Sequence, residues 1–322
     1  MANLYTGTAT IDGQTGITNL VTTAYDKLLG FALRSEPQFR TLIDKRPADV
    51  SHAGGVVRLQ RYADLASATT ALTENVDPDA VALANTTTID VTLSEYGAAV
   101  LTTEKLALQS LSAIDPAVAN IVAFNMRDSL DKLVRTTMIA GTNVIGNVGG
   151  TLTATNTKTG IDAADKLTSP YVRYVVAKLR GNSAQAFDGG KYLGYIHPDV
   201  SHDLRAETGA AAWRDIHNYS GATAVWNGEI GEYEGVRFVE SPRCYQTGDG
   251  ESSAVVSRSI IMGREALVEA VGKEPGVVIG PVTDKLMRTR PIGWKGTLGW
   301  ARYREEALFR IHTGSTYGAA NT

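Results

Sequence analysis

The stretch Asp115–Gly141, DPAVANIVAFNMRDSLDKLVRTTMIAG, constrains this chain more than any other. Val118, Val122, Met126, Leu130, Val134 and Met138 recur every four residues, and Ile121, Leu133 and Ile139 widen them into one apolar stripe. Asp115 is a good N-cap, Pro116 suits the first helical position, and Gly141 offers a left-handed stop. The spacing therefore predicts a spine helix over 116–140, roughly 35 Å long. Its polar face carries Arg127, Asp128, Asp131, Lys132 and Arg135, with Asp128/Lys132 and Asp131/Arg135 at the i,i+4 spacing. The stripe is expected to pack on strands between Trp294 and Ile311, with Arg127, Asp131 and Arg135 facing outward to solvent or a neighbouring chain.

Around this helix the periodicity divides the chain. Residues 1–55 read as an arm with little core of its own, holding one helix over Thr18–Leu33. Within 56–100 the period becomes two: Val57, Leu59 and Arg61 alternate with polar residues, as do Ile89, Val91 and Leu93. About 25 residues rich in Ala, Thr, Asp and Asn separate these runs, which predicts an extended two-stranded loop. An isolated hairpin is marginal in water, so such a loop needs another surface to lie on.

A short helix, TTEKLALQSL, leads into the spine, and the Gly/Thr/Asn stretch after it reads as a loop or weak hairpin closing a section at 101–168. Residues 169–276 form an α/β section. It contains a helix from Ser169, a buried strand in GKYLGYIH, a short helix from Pro198, and a hairpin in GEIGEYEGVRFVES. The run SIIMGREALVEAV is expected to be a strand followed by a short helix. Residues 277–322 return as strands, Trp294, Leu298 and Trp300 sharing one face and Ala307, Phe309 and Ile311 another. The class is α+β.

The search for chemistry finds none that assembles. No phosphate-binding G-x-x-x-x-G-K-[ST], nucleophile elbow or H-E-x-x-H occurs, and no cofactor motif is present. Cys244 is alone, which excludes an internal disulfide, and no basic cluster surrounds it to activate its thiol. The one metal-like cluster is His197, Asp199, His202 and Asp203, where a helix from Pro198 sets the two carboxylates at i,i+4. The plainer account is that Asp199 complements the helix N-terminus and His202 lies on its surface. His52, His217 and His312 are isolated and read as structural. No secretory signal or apolar run of membrane-spanning length is expected.

Charge is more informative. The whole chain carries a formal net of −3, unlike a dedicated nucleic-acid binder. Residues 56–100 set Arg58 and Arg61 against six acids that include Glu74, Asp77 and Asp79, a net of −4. Residues 284–312 hold Lys285, Arg288, Arg290, Lys295, Arg302, Arg304 and Arg310, a net of +4. Two readings remain open: each is a solvated face, or the acidic loop of one subunit lies on the basic strands of another, fixing register.

Three stretches, YIHPDVSHDLR at 195–205, GEIGEYEGVRFVES at 228–241 and GWKGTLGWARYREEALFRIHTGS at 293–315, carry a further reading. With the order of elements, they make the chain resemble the major capsid proteins of tailed bacteriophages, of the Hong Kong 97-type fold, and especially the phage N4-like capsids. The resemblance implies an N-terminal arm, an extended loop over a neighbouring subunit, a peripheral domain built on the spine helix, and an axial domain over 169–276. It also implies pentamers and hexamers in an icosahedral head around double-stranded DNA. Expected partners are a portal, separate scaffolding and decoration proteins, and weak nonspecific DNA contacts, with no membrane. Expected localisation is the virion capsid, assembled in the bacterial cytoplasm. Some such proteins link a loop lysine to a neighbour's asparagine; no lysine lies between Lys45 and Lys105, so that chemistry cannot begin in this loop. The N-terminus is expected to be too short for a fused scaffold. The alternatives are a cellular nanocompartment shell of the same fold and a metal-dependent hydrolase centred on His197, Asp199 and Asp203.

Overall fold

The computed structural model describes residues 10–11, 14–15, 34–47, 55–83, 86–109, 114–154, 156–187, 189–207, 229–282, 284, 286 and 288–317. The helix expected over Thr18–Leu33, His52, His217, Lys285 and most of the arm 1–55 lie outside the described residues. In chain order, β1 (Thr10–Ile11) and β2 (Gln14–Thr15) precede a 3-10 turn at Phe39–Leu42 and β3 (Asp44–Pro47). β4 (Val56–Arg61) and β5 (Thr87–Thr92) bracket a long irregular loop, and β6 (Ser94–Thr103) runs into α1 (Glu104–Gln109). The spine follows as α2 (Ile114–Ile139), then the hairpin β7 (Val144–Val148) and β8 (Thr151–Thr153). Next come α3 (Ser169–Gly181), β9 (Tyr192–Ile196) and α4 (Pro198–Ala206). The chain ends in strands: β10 (Glu229–Tyr233), β11 (Val236–Glu240), β12 (Tyr245–Thr247), β13 (Val256–Met262), β14 (Leu267–Ile279), β15 (Thr289–Arg302) and β16 (Leu308–Thr313).

Two sheets organise the molecule. The larger has the order β10-β11-β9-β13-β16-β7-β8, with β12 on β13; the smaller is β3-β14-β15-β6. One face of the larger sheet is covered by α3 and α4, where Val172, Val175, Val176 and Leu179 meet Ile196, Ile261 and Ile311. The helix face read from the sequence of α3 is therefore the buried one. The Glu234–Gly235 turn, with both φ angles positive, closes the β10–β11 hairpin, the geometry favoured between twisted strands.

α2 joins the two sheets. Val122, Leu130, Val118 and Met126 pack on Trp294 and Leu298 of the smaller sheet. Val134, Met138 and Ile139 pack instead on Ile260, Met262 and Leu308 of the larger one, together with Phe39 and Tyr195. Trp294 Nε1 donates to Asn125 Oδ1 at 2.9 Å, pinning the first half. The stripe thus meets the Trp294 face as expected, but Phe309 and Ile311 lie on the far side of the larger sheet, in the α3/α4 core. Ala307 falls in a 3-10 turn and contacts the α2 side, so the three residues do not share a face.

Asp131 does not face outward; it is 1% exposed. Its Oδ1 accepts the Phe39 N–H at 2.8 Å and its Oδ2 accepts Arg243 Nε at 3.0 Å. Arg243 also donates to Asp128 and reaches Ser35 Oγ at 3.3 Å. Arg135 is drawn in as well, donating to the Arg243 carbonyl at 2.6 Å and lying over the Tyr245 ring. The expected Asp131/Arg135 pair is therefore replaced by contacts to a remote turn, whereas Lys132–Asp128 forms at 2.9 Å. Burial pushes the Asp131 carboxyl above its usual range, more than the Arg243 charge and the Phe39 N–H lower it. Burial also opposes the charge on Asp128, but Lys132 and Arg243 outweigh it and hold its carboxyl below that range.

Other expectations change for stated reasons. Gly141 is not left-handed; a Cβ there would lie 3.0 Å from Glu305 Oε1, and Arg302 closes the helix end by donating to Thr137 O at 3.2 Å. The Gly149–Gly150 stretch is not a boundary, because β7 is buried and pairs with β16 inside the larger sheet. ALVEAV is strand, not helix: β14 pairs with β15 on one side and β3 on the other, and this pairing overrides helix propensity. A cut at 276/277 falls inside β14, and β16 belongs to the larger sheet, so 277–322 is split between the two sheets.

Arg243→Ala should lower the unfolding free energy of the unassembled subunit by about 3 kcal/mol, because it strands a buried carboxylate. Lys132→Ala, on the exposed side of Asp128, should cost less than about 0.5 kcal/mol. Urea unfolding of the two variants measures the difference.

Candidate assembly surface

The extended loop grows from a short stem. β4 and β5 pair antiparallel from Val56↔Thr92 to Arg61↔Thr87. Val57, Leu59, Ile89, Val91 and Leu93 turn one face of the stem onto Val268, Ala270 and Tyr303. The stem therefore sits on the face of the smaller sheet opposite α2. Arg58 clasps Asp90 across the stem with two bonds of 2.8 and 2.9 Å, and those bonds hold the Asp90 carboxyl below its usual range. Arg61 reaches Glu306 at 3.6 Å.

Beyond the stem the two-stranded expectation ends. Residues 62–83 are exposed throughout and contain no strand, only a turn at Glu74–Asn75. Tyr62, Leu65, Leu72, Val76, Val81 and Leu83 are each more than half exposed. Apolar side chains exposed in this number make the loop a candidate interaction surface. Glu74, Asp77 and Asp79 are exposed on the same loop, with no ion-pair partner among the described residues.

The basic candidates divide. Arg302 is committed internally, to Glu305 and to the end of α2, and Arg304 pairs with Glu265 at 3.1 Å. Arg288 is exposed but bonds Asp284 at 2.7 Å. Arg290 and Lys295 stand exposed on β15, and neither side chain has a partner among the described residues. They lie opposite Thr102 and Gly97 of β6, the edge strand of the smaller sheet. A second exposed apolar group sits near the far end of that sheet, including Val100 and Leu101 of β6, Val277 and Ile279 of β14, and Leu108 of α1.

A model of the phage capsid protein family matches residues 40–316. The chain belongs to that family. No curated protein matches it in sequence. Among solved structures it is similar to the capsid of cyanophage P-SCSP1u, at 12% identity and a TM-score of 0.71, covering 95% of this chain and 97% of that one. The capsid of Ralstonia phage GP4 gives 13% identity and a TM-score of 0.71, covering 97% and 100%. The capsid of Helicobacter pylori bacteriophage KHP30 gives 13% identity and 0.68, covering 95% and 99%. The chain is a major capsid protein with the Hong Kong 97-type α+β fold, a structural component of the virion capsid.

In this capsid protein the His197 cluster is wired for structure. His197 Nδ1 lies 3.0 Å from Gln246 Nε2, which also donates to Asp199 Oδ2 and Ser257 Oγ. Asp203 accepts from Ser315 Oγ, Thr316 N and Thr316 Oγ1 at 2.8–3.1 Å, tying the end of the chain to α4. Its carboxylate is spent there, and among the described residues no group of three or more His, Cys, Asp or Glu is placed to hold a metal. His202 is exposed, edge-on to Tyr317. Cys244 is buried, and burial pushes its thiol up to about 12, far from a nucleophile's range.

His312 is 0% exposed, and neither ring nitrogen has a hydrogen-bond partner among the described residues. Burial, then Arg310, Arg258 and Lys158, lower its pKa to about 3, with Asp249 opposing weakly. The unfolded chain gains a proton on this side chain near pH 6.5, which the folded chain refuses until about 3. Stability from this group is therefore fully present above pH 6.5 and falls as the pH drops toward 3. The loss should reach a few kcal/mol, on the order of the cost of charging a buried imidazole. Urea unfolding at pH 7 and pH 4.5 should show a smaller decline for His312→Gln than for the parent.

Proposed function

We propose that this subunit forms the pentamers and hexamers of an icosahedral phage head that encloses double-stranded DNA, with no catalytic step of its own. The observation that carries the assembly mode is the exposed loop 62–83, whose apolar side chains are not covered by any of the described residues. Residues 55–93 act as the extended loop. The smaller sheet with the first half of α2 acts as the peripheral domain, and the larger sheet with α3 and α4 as the axial domain. The wording of residues 195–205, 228–241 and 293–315 supports a place near the phage N4-like capsids.

In the shell, the acidic tip Glu74, Asp77 and Asp79 meets the neighbour's Arg288, Arg290 and Lys295, while Arg58 and Arg61 brace the stem. Desolvating Leu65, Leu72, Val76, Val81 and Leu83 supplies the attraction, and the charges set register. The loop has no lysine to form a covalent link, so the contact is reversible unless a decoration protein clamps it. A portal, a separate scaffolding protein and weak, salt-sensitive contacts with the packaged DNA complete the partners. Assembly takes place in the host cytoplasm.

Reversing Glu74, Asp77 and Asp79 to Lys should leave the subunit melting temperature within about 2 °C of the parent, since these groups are exposed and have no ion-pair partner among the described residues. The same variant should fail to form uniform particles when co-expressed with the scaffold, as judged by electron microscopy. Normal heads from the triple variant would refute the loop-docking reading.

A further inference from the structure

The outer edge of β6 presents a problem that the subunit does not solve. The strand runs for ten residues, SEYGAAVLTT, and pairs with β15 along its whole length, from Ser94↔Leu298 to Thr103↔Thr289. From Ser94 to Thr102 its other side is the edge of the smaller sheet, and no backbone bond among the described residues reaches it there. Proteins usually blunt such an edge with lysine, proline, a bulge or a covering element. β6 has no lysine or proline, its pairing with β15 is regular, and Gly97–Leu101 is uncharged and exposed. A long edge with regular pairing and an uncharged stretch at Gly97–Leu101 is a template for another strand.

The loop carries a matching segment. Residues 65–73, LASATTALT, have no charge, no proline and no glycine, and they are exposed throughout. Among the described residues no N–H of this segment donates a backbone hydrogen bond. At about 3.3 Å per residue it extends to roughly 30 Å, close to the length of β6. The acidic tip Glu74–Asp79 follows directly. Lys295 stands opposite Gly97 toward one end of β6, and Arg290 opposite Thr102 at the other. Parallel pairing therefore carries the tip to the Arg290 end, where that side chain has no partner among the described residues, and antiparallel pairing carries it about three residues beyond Lys295.

We propose that residues 65–73 of a second copy of the chain add to the β6 edge as a fifth strand of the smaller sheet. This rests on the loop-docking reading above and names its target. Main-chain bonds supply the attachment, and the side chains of Leu65 and Leu72 and the acidic tip fix where along β6 it sits.

Amide exchange on the full-length chain tests it directly. In assembled shells roughly half of the β6 amides, the outward-facing alternates, should exchange at least about tenfold more slowly than in unassembled subunits. Thr69→Pro and Thr70→Pro provide a second arm. Both should melt like the parent, because among the described residues no N–H of the segment donates a backbone bond. Successive N–H groups point to opposite sides, so one of the two should lose most of its shell yield and the other should retain more of it.

Equal exchange of β6 in shells and subunits, or full shell yield from both proline variants, would overturn the proposal. Protection of β6 in shells formed by both variants would assign the edge to a different strand and would overturn it too. If Glu74, Asp77 and Asp79→Lys prevents assembly while parent shells leave β6 unprotected, the loop docks elsewhere: this inference fails and the docking reading survives. If the triple variant assembles normally, the docking reading itself fails.

Discussion

The burial of one helical stripe on two different sheets is the constraint on which the rest of this structure depends. α2 has 26 residues, and its apolar positions meet Trp294 and Leu298 with one half and Met262 and Leu308 with the other. Neither sheet alone covers the stripe. The helix therefore ties the sheets together, beside Leu267 of the smaller sheet, which enters the same core as Ile260 and Met262, and its polar side serves the junction too. Asp131 does so by satisfying the Phe39 N–H and the Arg243 guanidinium at once, which brings the segment at 34–39 and the turn after β11 to the same point. A buried carboxylate is costly unless its partners are placed this well.

Much of this was legible in the sequence, and the limits are instructive. The four-residue recurrence from Val118 to Met138 located α2 to within two residues at each end, because a long stripe averages over local noise. The alternation of Val57/Leu59 and Ile89/Val91 gave the stem for the same reason. What failed was partner choice. Asp131 and Arg135 stand at a spacing that suggests a pair, yet each bonds across more than 100 residues of sequence, which no local pattern encodes. ALVEAV has helix-forming residues, and only its two strand neighbours decide otherwise.

Which charged groups stand free of internal pairs was half legible. Charge runs pointed to the loop and to the strands beyond residue 284, but counted Arg302 and Arg304 as available when the fold uses both internally. The signal that could have found the loop's other character was present: Leu65, Leu72, Val76, Val81 and Leu83 lie in a stretch without regular periodicity, where apolar residues have no core to enter. The His197–Asp203 stretch shows the opposite error. Metal-like spacing there reflects a helix start and a tie to the Ser315–Thr316 segment, whose three donors occupy both oxygens of Asp203.

The length of α2 has a geometric consequence for any closed surface made of such subunits. At 1.5 Å per residue the helix is about 39 Å long, so a one-degree change in its tilt at one sheet displaces its far end by about 0.7 Å. A displacement of that size is a sizeable fraction of a side-chain contact, and the close-packed boundary between Leu130 and Val134 would have to absorb it. The angular tolerance of the subunit is thus set at the crossover between its two cores.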